Sequence, residues 1–133
     1  MKGFGSQKKS KNKKIEKSND ENFKEENIKK STNKNIEKII QRGFLLHSQG
    51  NIKEALKNYK YCIDNGVNDE RIYSNYGLIL KSFGKVKQAE IFLRKAIEIN
   101  PNSFTANTNL GTILKDLKRF GEAEKCHRKA IKI

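Results

Sequence analysis

Little in this chain is equipped for catalysis. It holds two cysteines, Cys62 and Cys126, and two histidines, His47 and His127. No Cys-x-x-Cys or His-x-x-x-His pair occurs, so the spacings that zinc or thiol redox chemistry favours are missing. No glycine-rich loop precedes a helix to cradle a phosphate, and Gly3 and Gly5 are too sparse to do so. A nucleophile needs a positioned base. None is legible, so the expectation is a protein that is not an enzyme, with no catalytic residue, no metal and no cofactor. Cys62 and Cys126 stand 64 residues apart and are expected to be free thiols.

Long apolar runs are also missing. No such run follows the basic start, so no secretory leader is expected, and no stretch approaches the length of a transmembrane span. Together with the sparse cysteines this makes a reducing, cytoplasmic setting the expectation. Acid is scarce relative to base: 29 Lys+Arg stand against 15 Asp+Glu, a formal net charge of +14. That balance favours anionic partners and opposes self-association, without selecting a nucleic acid.

Residues 1–35 carry 11 lysines and only scattered apolar side chains, Phe4, Ile15, Phe23 and Ile28. Such a composition buries too little surface to offset the entropy of ordering, so a disordered lysine-rich tail is expected. A transient helix over 20–30 is compatible with that. The run from Lys8 to Lys14 suits phosphates or an anionic membrane. It lacks the interleaved aromatics and arginines that base stacking and base-edge reading use. A solubilising arm is the preferred reading, with nucleic-acid or membrane contact by the tail as the alternative.

What the rest of the chain has is a period. Gly43, Gly77 and Gly111 lie 34 residues apart. Ala55, Ala89 and Ala123 keep the same step, as do Cys62, Ala96 and Ala130, and Leu46, Leu80 and Leu114. Independent columns in one register mark stacked supersecondary units. In the stretch 70–103, Tyr73, Tyr76, Gly77 and Leu80 follow helical spacing, and so do Phe92, Leu93, Ala96 and Ile99. Gly84 breaks the pattern between them, and Pro101 ends the second run. Each unit is therefore read as a helical hairpin, with Gly77 and Ala89 small where its helices approach closely.

The first unit, 36–69, opens with a helix from Ile36 and ends on Gly66 instead of a proline. Its inward set is Ile39, Gly43, Leu46, Ile52, Ala55, Tyr59, Cys62 and Ile63. Arg42 takes the place of Tyr76 and Leu110. In the second unit Phe83, Val86, Ala89, Leu93 and Ala96 are expected core. In the third, 104–133, they are Leu110, Leu114, Leu117, Phe120, Ala123 and Ala130. His127 stands where Tyr59 and Leu93 stand and is read as a neutral, half-buried side chain.

This pattern resembles the tetratricopeptide repeat (TPR). Gly77, Ala89 and Ala96 match the motif's small positions, Tyr73, Tyr76, Leu80 and Leu93 its large ones, and Pro101 its terminal proline. The resemblance covers about Ile36 to Ile133. It implies an all-α fold: a short right-handed α-solenoid of about three TPR hairpins over 36–133, behind the tail of 1–35. It also implies a protein–protein interaction scaffold whose first helices line a concave groove for an extended peptide of another protein. Similar arrays precede glycosyltransferase, sulfotransferase or methyltransferase domains, so the front part of a larger enzyme is the alternative. The last unit lacks its Asn-Pro ending and a capping helix. That fits a natural short form, a fragment of a longer array, or an end covered by self-association through the last helix.

On that resemblance the groove positions include Gln41, Phe44, Arg71, Asn75, Leu78, Lys81, Asn109, Thr112 and Lys115. Gln41, Asn75 and Asn109 form an amide column, and a side-chain amide both donates to and accepts from a peptide backbone. It looks like the asparagine ladder of O-linked N-acetylglucosamine transferases. Arg71, Lys81 and Lys115 tilt the expected partner towards an acidic peptide. The carboxylate clamp of chaperone-binding TPR domains is not reproduced in its Lys/Asn arrangement. Ile40, His47, Ser48, Ser82, Thr108 and Asp116 share the same ridge.

Overall fold

The computed structural model describes residues 6–133, and side chains from Glu21 onward apart from Phe23, Ile28 and Ser31. The side chains of the lysine run 8–14, and Gly3, Phe4, Gly5, Ile15, Phe23 and Ile28, lie outside that description. Six helices follow in chain order among the described residues: α1 Ser6–Ser48, α2 Ile52–Asp64, α3 Glu70–Ser82, α4 Val86–Ile99, α5 Phe104–Asp116 and α6 Phe120–Lys132. The chain divides into two units, Met1–Lys38 and Ile39–Ile133.

In the first unit α1 begins at Ser6, well ahead of the Ile36 start expected from the repeat pattern. Every described side chain from Glu21 to Asn35 is exposed. A helix whose described side chains are all exposed gains little from packing, and such helices are marginal in water. Where composition leads one to expect a disordered tail over 1–35, the backbone is helical from Ser6, with the described side chains from Glu21 to Asn35 exposed.

The second unit is an all-α stack of three hairpins, α1–α2, α3–α4 and α5–α6, with α1 contributing from Ile39. Its buried columns follow the sequence period. Ala55, Ala89, Ala96, Ala123, Ala130 and Cys62 are buried, as are Gly43, Gly77 and Gly111. Each glycine has a side chain of the second helix as its nearest neighbour. A Cβ built on Gly43 would lie 2.9 Å from Tyr59 Cε1, on Gly77 3.0 Å from Leu93 Cγ, and on Gly111 2.7 Å from His127 Nε2. The Gly77 site is also 3.2 Å from the Ala89 carbonyl oxygen, so there backbone meets backbone. Leu80, Ala89, Leu93, Leu110, Ile113, Leu114 and Ala123 form one cluster that fuses the second hairpin to the third.

Two expected core residues are not core. Phe83 is 53% exposed and Phe120 61% exposed. Phe83 is the residue that closes α3, at the hairpin turn. Phe120 opens α6, in the repeat position of Val86; Val86 is half-buried because the cluster joining the second and third hairpins covers it, and no described element covers α6 in that way. Buried residues outside the expected set include Ile72, Ile79, Ala106, Asn107 and Ile113. Asn107 occupies the position of Tyr73 and works differently. Its amide donates to Pro101 O at 3.1 Å and Ser103 O at 2.8 Å, pinning the loop that enters α5.

The turns repeat too. Gly50, Gly84 and Lys118 occupy one column and all have positive φ, of 77°, 75° and 59°. Glycine takes that region freely, whereas a lysine is strained there. Helix starts are capped where the loops are long enough: Asp69 Oδ1 accepts from the Arg71 amide at 3.0 Å, and Ser103 Oγ from the Ala106 amide at 3.2 Å.

Candidate peptide-binding site

The first helices of the hairpins, α1, α3 and α5, bring their side chains to one cavity of about 290 Å³. It is lined by Phe44 from α1, by Glu70, Arg71, Ser74 and Asn75 from α3, and by Thr105 from α5. Three positions anticipated from sequence, Phe44, Arg71 and Asn75, therefore meet in space. Gln41, Leu78, Lys81, Asn109, Thr112 and Lys115 lie on the same helices but do not line this cavity. Leu78 is 38% exposed, Asn109 and Thr112 are half-buried, and Gln41 and Lys115 are exposed. Ile40 is buried at 5% and is a packing residue, not a ridge residue.

The amide of Asn75 is not a loose polar group. Its Nδ2 donates to the Tyr59 hydroxyl at 3.4 Å, and that hydroxyl lies 3.2 Å from His47 Nδ1. Burial pushes the Tyr59 hydroxyl above its ordinary pKa, with the Asn75 bond pulling the other way, so it stays a neutral relay between the two. The Phe44 ring packs on Tyr59 with centroids 5.9 Å apart. Buried Tyr59 thus holds both Phe44 and Asn75 in place from below.

The cations are less available than the sequence implies. Arg71 is gripped by Asp69 through Nε at 3.0 Å and Nη2 at 2.6 Å, and its guanidinium lies 4.9 Å from the Phe44 ring centroid. This grip holds the Asp69 carboxyl below its usual range. Lys81 faces Asp116 at 3.6 Å. Among the described residues Lys115 has no ion-pair partner. Glu70 accepts from Ser103 Oγ at 3.1 Å. Sequence reasoning missed Ser74, Glu70 and Thr105; the pairing of Asp69 with Arg71, two residues apart beside a helix start, was the available signal.

Chemistry of other kinds finds no support. Among the described residues no group of three or more His, Cys, Asp or Glu could hold a metal ion. Glu124 and His127 stand three apart on α6, but Glu124 accepts from Arg128 at 2.6 Å and His127 lies over Gly111. Burial pushes the Cys62 and Cys126 thiols up, which opposes thiolate formation. No described helix is long and apolar enough to cross a membrane.

Fold and site together define a helical-repeat scaffold. A family model described as tetratricopeptide repeat matches residues 70–103, and a second of the same description matches residues 92–125. Together the two matches span residues 70–125. The two matches start in different helices, as expected of a repeat that has no unique origin. No curated protein matches the sequence.

Among solved structures, the second TPR of Spaghetti (RPAP3) bound to the HSP90 peptide SRMEEVD matches with a TM-score of 0.66 at 19% identity, over 72% of this chain and 89% of that one. The OM64 TPR domain of Arabidopsis matches with a TM-score of 0.66 at 23% identity, over 72% and 79%. The first TPR of Spaghetti, bound to the same peptide, matches with a TM-score of 0.66 at 20% identity, over 73% and 77%. These likenesses carry the fold.

Proposed function

We propose that this protein is an interaction scaffold that holds an extended peptide segment of another protein along α1, α3 and α5. One observation carries the reading: Phe44, Arg71 and Asn75, from two successive first helices, meet at a single cavity, and buried Tyr59 fixes the aromatic and the amide. The similar Spaghetti domains, which are bound to a peptide, support it by analogy of fold. The contact set is Gln41, Phe44, Arg71, Asn75, Leu78, Asn109, Thr112 and Lys115, with the amides meeting main-chain groups. Lys81 is assigned to Asp116 rather than to a ligand. A free acidic preference weakens accordingly, because Arg71 and Lys81 already have carboxylate partners.

The test is peptide display against the full chain, followed by an Asn75→Ala, Asn109→Ala double variant. Loss of two hydrogen bonds of about 0.5–1.5 kcal/mol each predicts roughly tenfold or greater weakening, with stability changed by no more than about 1 kcal/mol. Equal binding by the double variant contradicts the proposal.

A further inference from the structure

The second hairpin meets the third partly through one ridge of α4: Val86, Glu90, Arg94 and Ile97. At about 100° per residue these four fall within an arc of about 80°. Val86 and Ile97 are half-buried against the clusters that join α4 to α5. Between them lies a cross-hairpin set of ion pairs. Arg119, just ahead of α6, donates to both oxygens of Glu90, at 2.8 and 3.0 Å, and Arg94 donates to Glu122 at 3.1 Å. Glu90 is left only 15% exposed.

One repeat later, α6 carries the same ridge: Phe120, Glu124, Arg128 and Ile131. Here it is bare. Phe120 is exposed, Ile131 is 82% exposed, and Glu124 pairs with Arg128 of its own helix at 2.6 Å. α2 does not share the pattern, because Leu56 and Lys60 stand in the places of the glutamate and the arginine. Two apolar residues alone would be an ordinary exposed helix face. A glutamate and an arginine repeated between them are half of the joint already seen on α4.

What covers α4 specifies what fits α6. That cover is a helical hairpin offering Ala106 and Ile113 on its first helix, with Arg119 and Glu122 three apart where its second helix begins. A second copy of this chain is a poor substitute. In its first hairpin Lys38 and Asn51 stand in the places of Ala106 and Arg119, and a net charge of +14 on each copy opposes their approach.

We infer that the ridge of Phe120, Glu124, Arg128 and Ile131 docks a helical hairpin of a partner protein. That hairpin has small or branched apolar residues on its first helix and an Arg-x-x-Glu pair at the start of its second. Glu124 accepts from the incoming arginine, Arg128 donates to the incoming glutamate, and Phe120 and Ile131 leave water. The surface is on a second helix, apart from the first-helix peptide site, so either can fail without the other.

The probe is a chemically stapled helical hairpin with the sequence of residues 104–133, the segment that covers α4, titrated calorimetrically into the full chain. The expected result is saturable one-to-one binding, weakened tenfold or more by Ile131→Lys in the chain and several-fold by Glu124→Arg. A probe carrying Arg119→Glu binds the wild-type chain several-fold more weakly and recovers on the Glu124→Arg chain, a rescue that unspecific apolar contact does not produce. Both chain substitutions lie at exposed sites, so the melting temperature is unchanged. No binding by the wild-type chain, binding that Ile131→Lys leaves intact, or absence of the charge-swap rescue overturns the proposal. So does a wild-type dimer in sedimentation that Ile131→Lys disperses, which would assign the ridge to a second copy.

Discussion

The two sides of each hairpin obey different rules. Between paired helices the repeat is strict: a glycine at 43, 77 and 111 lies close against the second helix, and an alanine at 55, 89 and 123 stays buried. Along the first helices the repeat dissolves. The column Phe44, Leu78, Thr112 runs from aromatic through aliphatic to polar. Repetition is kept where the backbones must approach, and variation is concentrated where no packing partner constrains it. The difference separates residues that hold the fold from residues left to contact something else.

That contrast breaks most visibly in the core. Leu93→Ala removes a fully buried side chain from beneath Gly77 and is expected to cost about 2–5 kcal/mol in denaturant unfolding. Leu78→Ala, on the first-helix side of the same hairpin, is expected to cost less than about 0.5 kcal/mol. Similar losses at both would erase the distinction.

The glycine column sharpens it. Gly77→Ala presses a methyl on Leu93 and on the Ala89 carbonyl, which cannot swing away. Overpacking of about 1–3 kcal/mol, offset by about 1 kcal/mol of helix propensity, leaves a net loss of up to about 2 kcal/mol. Gly111→Ala meets only the His127 ring, so His127→Ala is expected to rescue it in a double-mutant cycle, with no comparable rescue available at Gly77.

The turns give a gain instead of a loss. Lys118→Gly relieves the left-handed strain that Gly50 and Gly84 avoid and is expected to stabilise by about 1 kcal/mol, read as a raised melting temperature. The smallest effect is electrostatic. Asp69 has a lowered pKa in the fold, so its contribution is present above its unfolded value of about 3.9 and is lost as pH falls through the lowered value. Asp69→Asn keeps a good helix cap and is expected to flatten the acid limb of the stability–pH curve below about pH 4, with a loss at pH 7 that reflects the ion pair with Arg71.

Much of the packed side was legible beforehand, because a 34-residue period in small and apolar columns states which atoms must be close. Ile113 escaped because it packs in the cluster that joins the second and third hairpins, a contact that helical spacing within one hairpin does not reveal. Phe83 and Phe120 were misplaced for the converse reason: apolar character suggested burial, yet both sit at helix ends beside turns. On the first-helix side the general positions were legible but their states were not. Nothing in the sequence reading paired Arg71 with Asp69 or Lys81 with Asp116, and nothing in the period marked Ser74 as the hydroxyl left without a partner.

The most direct measurement is amide chemical-shift mapping of the full chain titrated with a display-selected peptide. Perturbations centred on Phe44, Arg71, Ser74, Asn75 and Asn109, with α2, α4 and α6 quiet on their outer surfaces, are the predicted result. Shifts confined to those second helices, or to the lysine-rich stretch before Ile39, would contradict it.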